Sequence, residues 1–270
     1  MDYEPHPAEQ PATDADSAPV RRTGPFVVEP SVLVRDVVFH VPGASRAMER
    51  FRLDYCCGGS KTLSAICVES RVDVSALLAA LEEEKEKGGE TDQELLEIPL
   101  VDLIARIVRE HHEPSRKEAV RLVALASQAR DAHAATMPEL NAVAKDTALL
   151  FAELGPHLKQ EERVLFPYVE QLEVAGRDGK RAPVALFATI KHVIHEMENE
   201  HEDSELVMAR LRRVTKDFAV TDATPQIVKE LYEGLDAHEK DLVRHMHLEG
   251  NVVFPRAERL ETKLRRGARP

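Results

Sequence analysis

One pattern occurs twice in the chain, and it restricts the fold more than any other feature. The copies run from His157 to Pro167 and from His245 to Pro255, and both read His-x3-Glu-x4-Phe-Pro. Residues four apart lie on one face of an α-helix, so each copy directs an imidazole and a carboxylate the same way. One such pair is usually a solvated surface pair, but surface pairs have no reason to repeat their downstream Phe-Pro. Two copies facing each other in a helical bundle predict a carboxylate-bridged site for two metal ions, with Fe, Mn and Zn all suited to the ligands.

The composition is typical of long amphipathic helices, because aromatic residues are few and Trp is absent. The net charge of -12, with no basic patch, argues against nucleic acid as a partner. No apolar run approaches the ~18–20 residues of a membrane span, and the N-terminus lacks the apolar region of a secretory signal. Three cysteines do not make an extracellular disulfide framework. We therefore expect a cytoplasmic protein without membrane contact.

The helical pattern predicts an all-α fold in two parts. The predicted order is a disordered tail (1–29), a small helical domain with adjacent cysteines (30–88), a linker (89–98), an up-down four-helix bundle (99–262) and a short tail (263–270). The bundle helices are predicted over Leu100–His133, Pro138–Leu172, Val184–Lys216 and Pro225 to about Glu249.

Each predicted bundle helix contributes one histidine to an evenly spaced series. His111, His157, His201 and His245 follow one another at intervals of about 45 residues. In an up-down bundle, equal intervals place all four imidazoles at the same central height. Together with Glu161 and Glu249 they predict a two-metal site in the bundle core, with coordination positions left open for water, O2 or NO.

Two prolines bear on this site. Pro114 follows closely after His111-His112 and is expected to kink or break the first helix, and Pro156 immediately precedes His157. The choice between His111 and His112 is open, and we prefer His111 because it continues the apolar face of Ile107.

Two further groups of residues have open roles. Cys56-Cys57 would form only a strained disulfide, so reduced thiols are expected; they could bind a soft metal, NO or an Fe–S species, or one could simply pack in the core. Glu153 lies one turn before His157 and Glu200 adjoins His201. Either carboxylate could hydrogen-bond a ligand or relay protons, or be a solvated surface group.

The central and C-terminal segments resemble hemerythrin-like domains, and the span from Ser31 to Leu260 resembles the repair-of-iron-centres di-iron proteins of the YtfE/ScdA type. The residues that carry the resemblance are Asp54-Tyr-Cys-Cys-Gly-Gly59 with Thr62-Leu63, Ile107-Val-Arg-Glu-His111, Glu198-x-Glu200-His201 and the two His-x3-Glu copies. A plain hemerythrin would lack the first domain and would have a fifth histidine.

The resemblance implies two non-haem irons, oxo-bridged when oxidised. Its implied terminal ligands are His111, His157, His201 and His245, with Glu161 and Glu249 bridging the irons. It also implies repair of Fe–S clusters damaged by oxidative or nitrosative stress, through iron donation or NO handling. The implied partners are damaged Fe–S proteins and NO or O2, and a homodimer is left open.

Two other functions fit the same ligands: a hemerythrin-like O2 or NO carrier or sensor, and a di-iron NO reductase. The Cys-Cys-Gly-Gly element favours repair, with Cys56 and Cys57 bringing a thiolate to a client or to the irons. Under this hypothesis, replacing both cysteines by serine keeps the iron but abolishes repair.

Overall fold

The computed structural model describes residues 26–88, 91–185 and 187–267. Their regular structure is helical apart from one isolated bridge between Leu33 and Thr62, which confirms the all-α prediction. None of the described helices combines the length and the apolar character needed to cross a membrane. The disordered tail predicted for 1–29 falls outside the described residues except for its last four.

The chain divides into two compact units. The first contains Met1–Asp54 and Gly58–Thr91, and the second contains Tyr55–Cys57 and Asp92–Pro270. The short segment with both adjacent cysteines therefore belongs to the second unit, although the chain on either side of it belongs to the first.

The first unit is a small helical domain. Its helices are α1 (Val34–His40), α2 (Ala44–Phe51), α3 (Leu63–Ser70) and α4 (Val74–Lys87). Side-chain caps begin two of them: Thr62 Oγ1 accepts from the Ala65 N–H at 3.2 Å, and Asp73 Oδ1 accepts from the Ser75 N–H at 2.9 Å. Cys67 of α3 is buried in this unit.

The second unit is built from four long helical rods. Three rods are α-helices joined through a π-helical segment, and α9 is the fourth. The elements are α5 (Leu100–Ile107), π1 (Val108–His112) and α6 (Glu113–His133); α7 (Leu140–Gln160), π2 (Glu161–Leu165) and α8 (Phe166–Arg177); α9 (Ile190–Thr215); and α10 (Gln226–Leu248), π3 (Glu249–Val253) and α11 (Phe254–Arg266). The last rod continues well past its predicted end near Glu249 and enters the predicted tail at 263–270.

One apolar core holds the rods together. Leu122, Leu150, Leu211 and Leu235 come from α6, α7, α9 and α10, and all four are fully buried. Burying one such side chain stabilises the fold by about 1.5–3 kcal/mol. At the other end of the bundle the Glu173 carboxylate of α8 accepts from the first N–H groups of α5, which anchors the start of the first rod.

Each π segment precedes a proline. Pro114, Pro167 and Pro255 are each the second residue of the α-helix that follows a π segment. A proline cannot donate to the carbonyl four residues earlier and its ring crowds that carbonyl, so the helix widens by one residue instead of breaking. Pro114 is thus accommodated by a π turn rather than by the predicted kink or break. Pro156 lies inside α7, which stays helical from Leu140 to Gln160.

Candidate metal centre

The π segments place metal-ligating side chains from three of the rods at the same height in the bundle. His112 is the last residue of π1, and Glu161 and Glu249 are the first residues of π2 and π3. The extra residue of a π turn re-aims a side chain, which is why such turns are frequent at functional sites. The residues that meet in the core, called here the His/Glu cluster, are each at most 4% exposed: His112, His157, Glu161, His201, His245 and Glu249.

The cluster consists of two groups that share both glutamates. One group contains His112 and His245, the other His157 and His201, and within each group the ligand atoms lie within 4.8 Å of one another. Glu161 places Oε2 3.5 Å from Nε2 of His112 and Oε1 3.5 Å from Nε2 of His157.

Glu249 repeats this arrangement from the opposite side. Its Oε1 lies 2.8 Å from Nε2 of His245, and its Oε2 lies 3.3 Å from Nε2 of His201. The two oxygens of each carboxylate thus face different histidine pairs, as they do when a carboxylate bridges two cations.

The polar atoms of the cluster fit a metal better than they fit each other. Among the described residues, Nε2 of His157 and His201, both oxygens of Glu161 and Oε2 of Glu249 are buried without a hydrogen-bond partner. Each unsatisfied buried group costs about 1–3 kcal/mol. Burial, together with the nearby Glu249 carboxylate, raises the pKa of Glu161 well above its usual range. Divalent cations would satisfy all of these atoms, and the N/O donor set suits Fe, Mn or Zn.

The preferred ligand on the first rod, His111, lies outside the cluster. Its Nδ1 is 2.8 Å from Oδ1 of Asp241, and its ring stacks on His245 with centroids 5.7 Å apart. The preference rested on extending an α-helical period from Ile107, but π1 intervenes and places His112, five residues after Ile107, in the cluster. Pro114 is the sequence signal that predicts this turn.

Two carboxylates hold the outer nitrogens of cluster histidines. Nδ1 of His157 lies 2.6 Å from Glu200, and Nδ1 of His112 lies 2.8 Å from Glu162. Such contacts fix the ring and its tautomer and leave Nε2 for the cluster. Glu200 therefore hydrogen-bonds a cluster histidine, which is one of the roles that its position in the sequence suggested. Glu153, in contrast, is exposed on α7.

The cysteine segment is fastened beside the cluster. Asn251 of π3 donates through Nδ2 to the carbonyls of Tyr55, at 2.9 Å, and Cys56, at 3.0 Å. The Cys56 thiol donates to Oε1 of Glu205 at 2.9 Å, and the Cys57 side chain hydrogen-bonds His201. None of the three cysteines, all of them described, forms a disulfide.

Sequence reasoning did not predict the contacts that Glu205 and Asn251 make with the cysteine segment. Asn251 carries a signal, because the two repeats differ there: Arg163 holds the corresponding place in the first copy. Glu205 carries none, since its partner is distant in sequence.

A helical bundle with a buried, shared His/Glu cluster defines a class of metal-binding bundle proteins. Residues 103–257 match the family described as the hemerythrin HHE cation-binding domain. The match covers more than half of the chain, which therefore belongs to this family, and it confirms the hemerythrin-like bundle. Residues 32–85 match a second family, ScdA_N, described as a domain of unknown function (DUF542).

Curated relatives extend the similarity over both units. The chain is 28% identical to the iron-sulfur cluster repair protein YtfE of Citrobacter koseri over 222 residues, which is 82% of this chain and 94% of the relative. The protein of the same name from Salmonella typhimurium is 29% identical over the same shares. That from Pectobacterium atrosepticum is 28% identical over 84% of this chain and 96% of its own. These matches confirm the resemblance that the motifs indicated.

Proposed function

We propose that the His/Glu cluster holds two iron ions, one bound by His112 and His245 and the other by His157 and His201. Glu161 and Glu249 bridge them. The observation that carries this proposal is that the two oxygens of each carboxylate face different histidine pairs. When bound, the irons supply redox chemistry and open coordination positions for NO or O2.

Several residues of the chain favour binding of the two iron ions in the cluster. Burial of all six side chains excludes bulk water, and the two carboxylates, with any proton displaced by the metal, would supply anionic charge that offsets two cations. Glu200 and Glu162 orient His157 and His112, and losing such a partner typically lowers metal affinity by about 10–100-fold. The cluster contains no thiolate, which keeps the irons exchangeable and disfavours an Fe–S cluster in this place.

The chain then serves the repair of Fe–S clusters damaged by oxidative or nitrosative stress, in the cytoplasm, by donating iron or removing NO. Support comes from the two family matches in this order along one chain and from the similarity to proteins named for such repair. The clients are proteins whose own Fe–S clusters have been damaged.

The test has two stages and uses protein purified without oxygen. The first measures metal per chain and the optical spectrum after exposure to air. About two irons and a ferric absorption of the oxo-bridged type are expected. One zinc, or no metal after iron loading, would overturn the proposed centre.

The second stage mixes iron-loaded protein with an Fe–S dehydratase inactivated by NO and follows recovery of the dehydratase activity. Recovery should exceed that given by the same concentration of free Fe²⁺, and a Glu161→Gln/Glu249→Gln variant should give none. Reversible NO or O2 binding without recovery would instead show a carrier. Sustained NO consumption with an external electron donor, again without recovery, would show a reductase.

A further inference from the structure

Two adjacent thiols and one carboxylate lie together beside the His/Glu cluster. The metal-ligating atoms of Cys56, Cys57 and Glu205 are within 4.8 Å of one another, and the Cys56 thiol touches the carboxylate at 2.9 Å. Cys56 is only 3% exposed. We propose that these three side chains, called here the thiol site, bind one thiophilic divalent cation that is separate from the two cations of the cluster.

The donor set selects the class of cation. Two thiolates and one carboxylate suit Zn²⁺, Fe²⁺, Co²⁺ or Cd²⁺ and do not suit Mg²⁺ or Ca²⁺. With metal–sulfur distances near 2.3 Å, a tetrahedral centre places its ligand atoms roughly 3.8 Å apart. The three groups therefore need to move by only about 1 Å to enclose an ion.

The protein holds the thiol site in place before any ion arrives. Asn251 fixes the backbone of Tyr55 and Cys56, and its Nδ2 lies 3.0 Å from Nδ1 of His247. All of these residues belong to the second unit. Because the cysteine segment is ordered during folding, ion binding loses little conformational entropy, which favours affinity.

Cys57 also hydrogen-bonds His201, so one imidazole connects the thiol site with the His/Glu cluster. Resting on the proposed function, the thiol site would hold Fe²⁺ in transit between the cluster and a client, which takes the ion by ligand exchange.

Binding at this site needs no redox partner. Each coordinating thiol gives up one proton. The Cys56 proton passes first to the Glu205 carboxylate, to which the thiol already donates a hydrogen bond, and then to solvent. The oxidation states of the metal and the sulfur do not change.

The test uses full-length protein with iron in the cluster, kept without oxygen and titrated with Cd²⁺. Thiolate-to-cadmium charge-transfer absorption should rise and saturate at about one equivalent per chain. Iron content is measured before and after the titration, to show whether Cd²⁺ has displaced iron from the cluster. Cd²⁺ bound there by imidazole and carboxylate alone would give no such absorption.

Three variants should weaken the signal. Cys56→Ser/Cys57→Ser should abolish it, and Glu205→Gln should raise the Kd for Cd²⁺ at least about tenfold. Asn251→Ala, which keeps all three ligands but releases the segment, should also raise the Kd. The matched controls are Glu202→Gln, an exposed carboxylate on the same helix, and Cys67→Ala, the cysteine of the first unit. Both controls should titrate like the wild type.

The outcomes separate this proposal from the proposed function. Two irons per chain with no cadmium–thiolate absorption would overturn the thiol site and leave the iron centre standing. An absorption that Glu205→Gln leaves unchanged would overturn the three-ligand site. A normal cadmium titration in a chain unable to hold iron in the cluster would support the thiol site and overturn the iron centre.

Discussion

His111 and His112 are neighbours in the chain, yet their side chains have different surroundings. His112 is fully buried between Glu162 and the other cluster residues, with its Nε2 3.0 Å from Nε2 of His245. His111 pairs with Asp241 and retains some exposure. Substituting each of these two histidines in turn therefore tests which one binds metal, because the two variants lose the same side chain at adjacent positions.

We expect His112→Ala to lower the iron content from about two to about one per chain, because one iron loses a terminal ligand. His111→Ala should retain both irons. Iron per chain, measured after identical anaerobic loading, decides between them. The reverse result, with iron lost only from His111→Ala, would restore the ligand that the α-helical period favours.

His238 shows how burial alone produces acid sensitivity. It is 4% exposed in α10 and packs on Phe151, with ring centroids 4.8 Å apart. Burial lowers its pKa to about 4, despite the opposing charges of Asp241 and Glu118. The unfolded chain, with a histidine pKa near 6.5, binds this proton more readily than the folded chain does. The stabilising effect of neutral His238 is complete above pH 6.5 and is lost as the pH falls toward 4.

Replacing His238 should therefore make the protein less sensitive to acid. Between pH 7 and pH 4, metal-free His238→Leu should lose roughly 3 kcal/mol less free energy of unfolding than the wild type. Urea titrations at several pH values measure this difference. His192→Leu, whose histidine is 68% exposed, should follow the wild type. Parallel curves for His238→Leu and the wild type would mean that His238 is not buried in its neutral form.

At the scale of elements, the three π segments share one construction. In each, the first α-helical residue after the turn donates its N–H to the carbonyl five residues earlier: Glu113 to Val108, Phe166 to Glu161 and Phe254 to Glu249. The proline comes next in all three. The recurring Phe-Pro of the sequence repeats thus belongs to the π turns that orient the Glu161 and Glu249 side chains.

Removing one of these prolines should disturb the metal site without touching a ligand. In Pro114→Ala the new N–H can bond to the Glu110 carbonyl, so an α-helical ladder replaces π1 and turns His112 away. We expect the iron content to fall to about one per chain.

Pro156→Ala is the matched control, because Pro156 lies inside α7, which stays α-helical on both sides of it, and no π segment immediately precedes it. This variant should keep both irons and gain roughly 1–3 kcal/mol in free energy of unfolding. Full iron content in Pro114→Ala would show that packing, rather than the proline, maintains π1.

The same elements explain what the sequence could predict. His157, His201 and His245 lie on uninterrupted α-helical stretches, so a period of 3.6 residues and equal spacing were enough to bring them together with Glu161 and Glu249. The period fails at His111-His112, because π1 adds one residue there. The assignment of these side chains as iron ligands stays a prediction.

At the scale of the whole molecule, the order of the chain and its division into units do not coincide. The sequence placed Cys56 and Cys57 in a small domain spanning 30–88, because the residues on both sides follow its helical pattern. In the structure, contacts with Asn251 and Glu205, which join residues more than a hundred positions apart, group these cysteines with the second unit. The ScdA_N match over 32–85 nevertheless spans them, so the predicted domain boundaries stay a prediction. Local periodicity carries no information on such contacts.

Because the His/Glu cluster lies wholly in the second unit, iron should stabilise that unit selectively. At free Fe²⁺ near 10 times the Kd of each of the two iron sites, the free energy of unfolding of the second unit should rise by about 2.8 kcal/mol, roughly 1.4 kcal/mol for each ion. Exchange of the slowest amide hydrogens around Leu122 and Leu235 should slow by about 100-fold.

Cys67 reports on the first unit in the same experiment. It is 1% exposed there, so a thiol reagent reaches it only when that unit opens. In a Cys56→Ser/Cys57→Ser background, where Cys67 is the remaining thiol, its labelling rate should be the same with and without iron. If iron slowed labelling of Cys67 as much as it slowed amide exchange in the bundle, the two units would unfold together. The division would then describe only the packing of the native state and not its cooperativity.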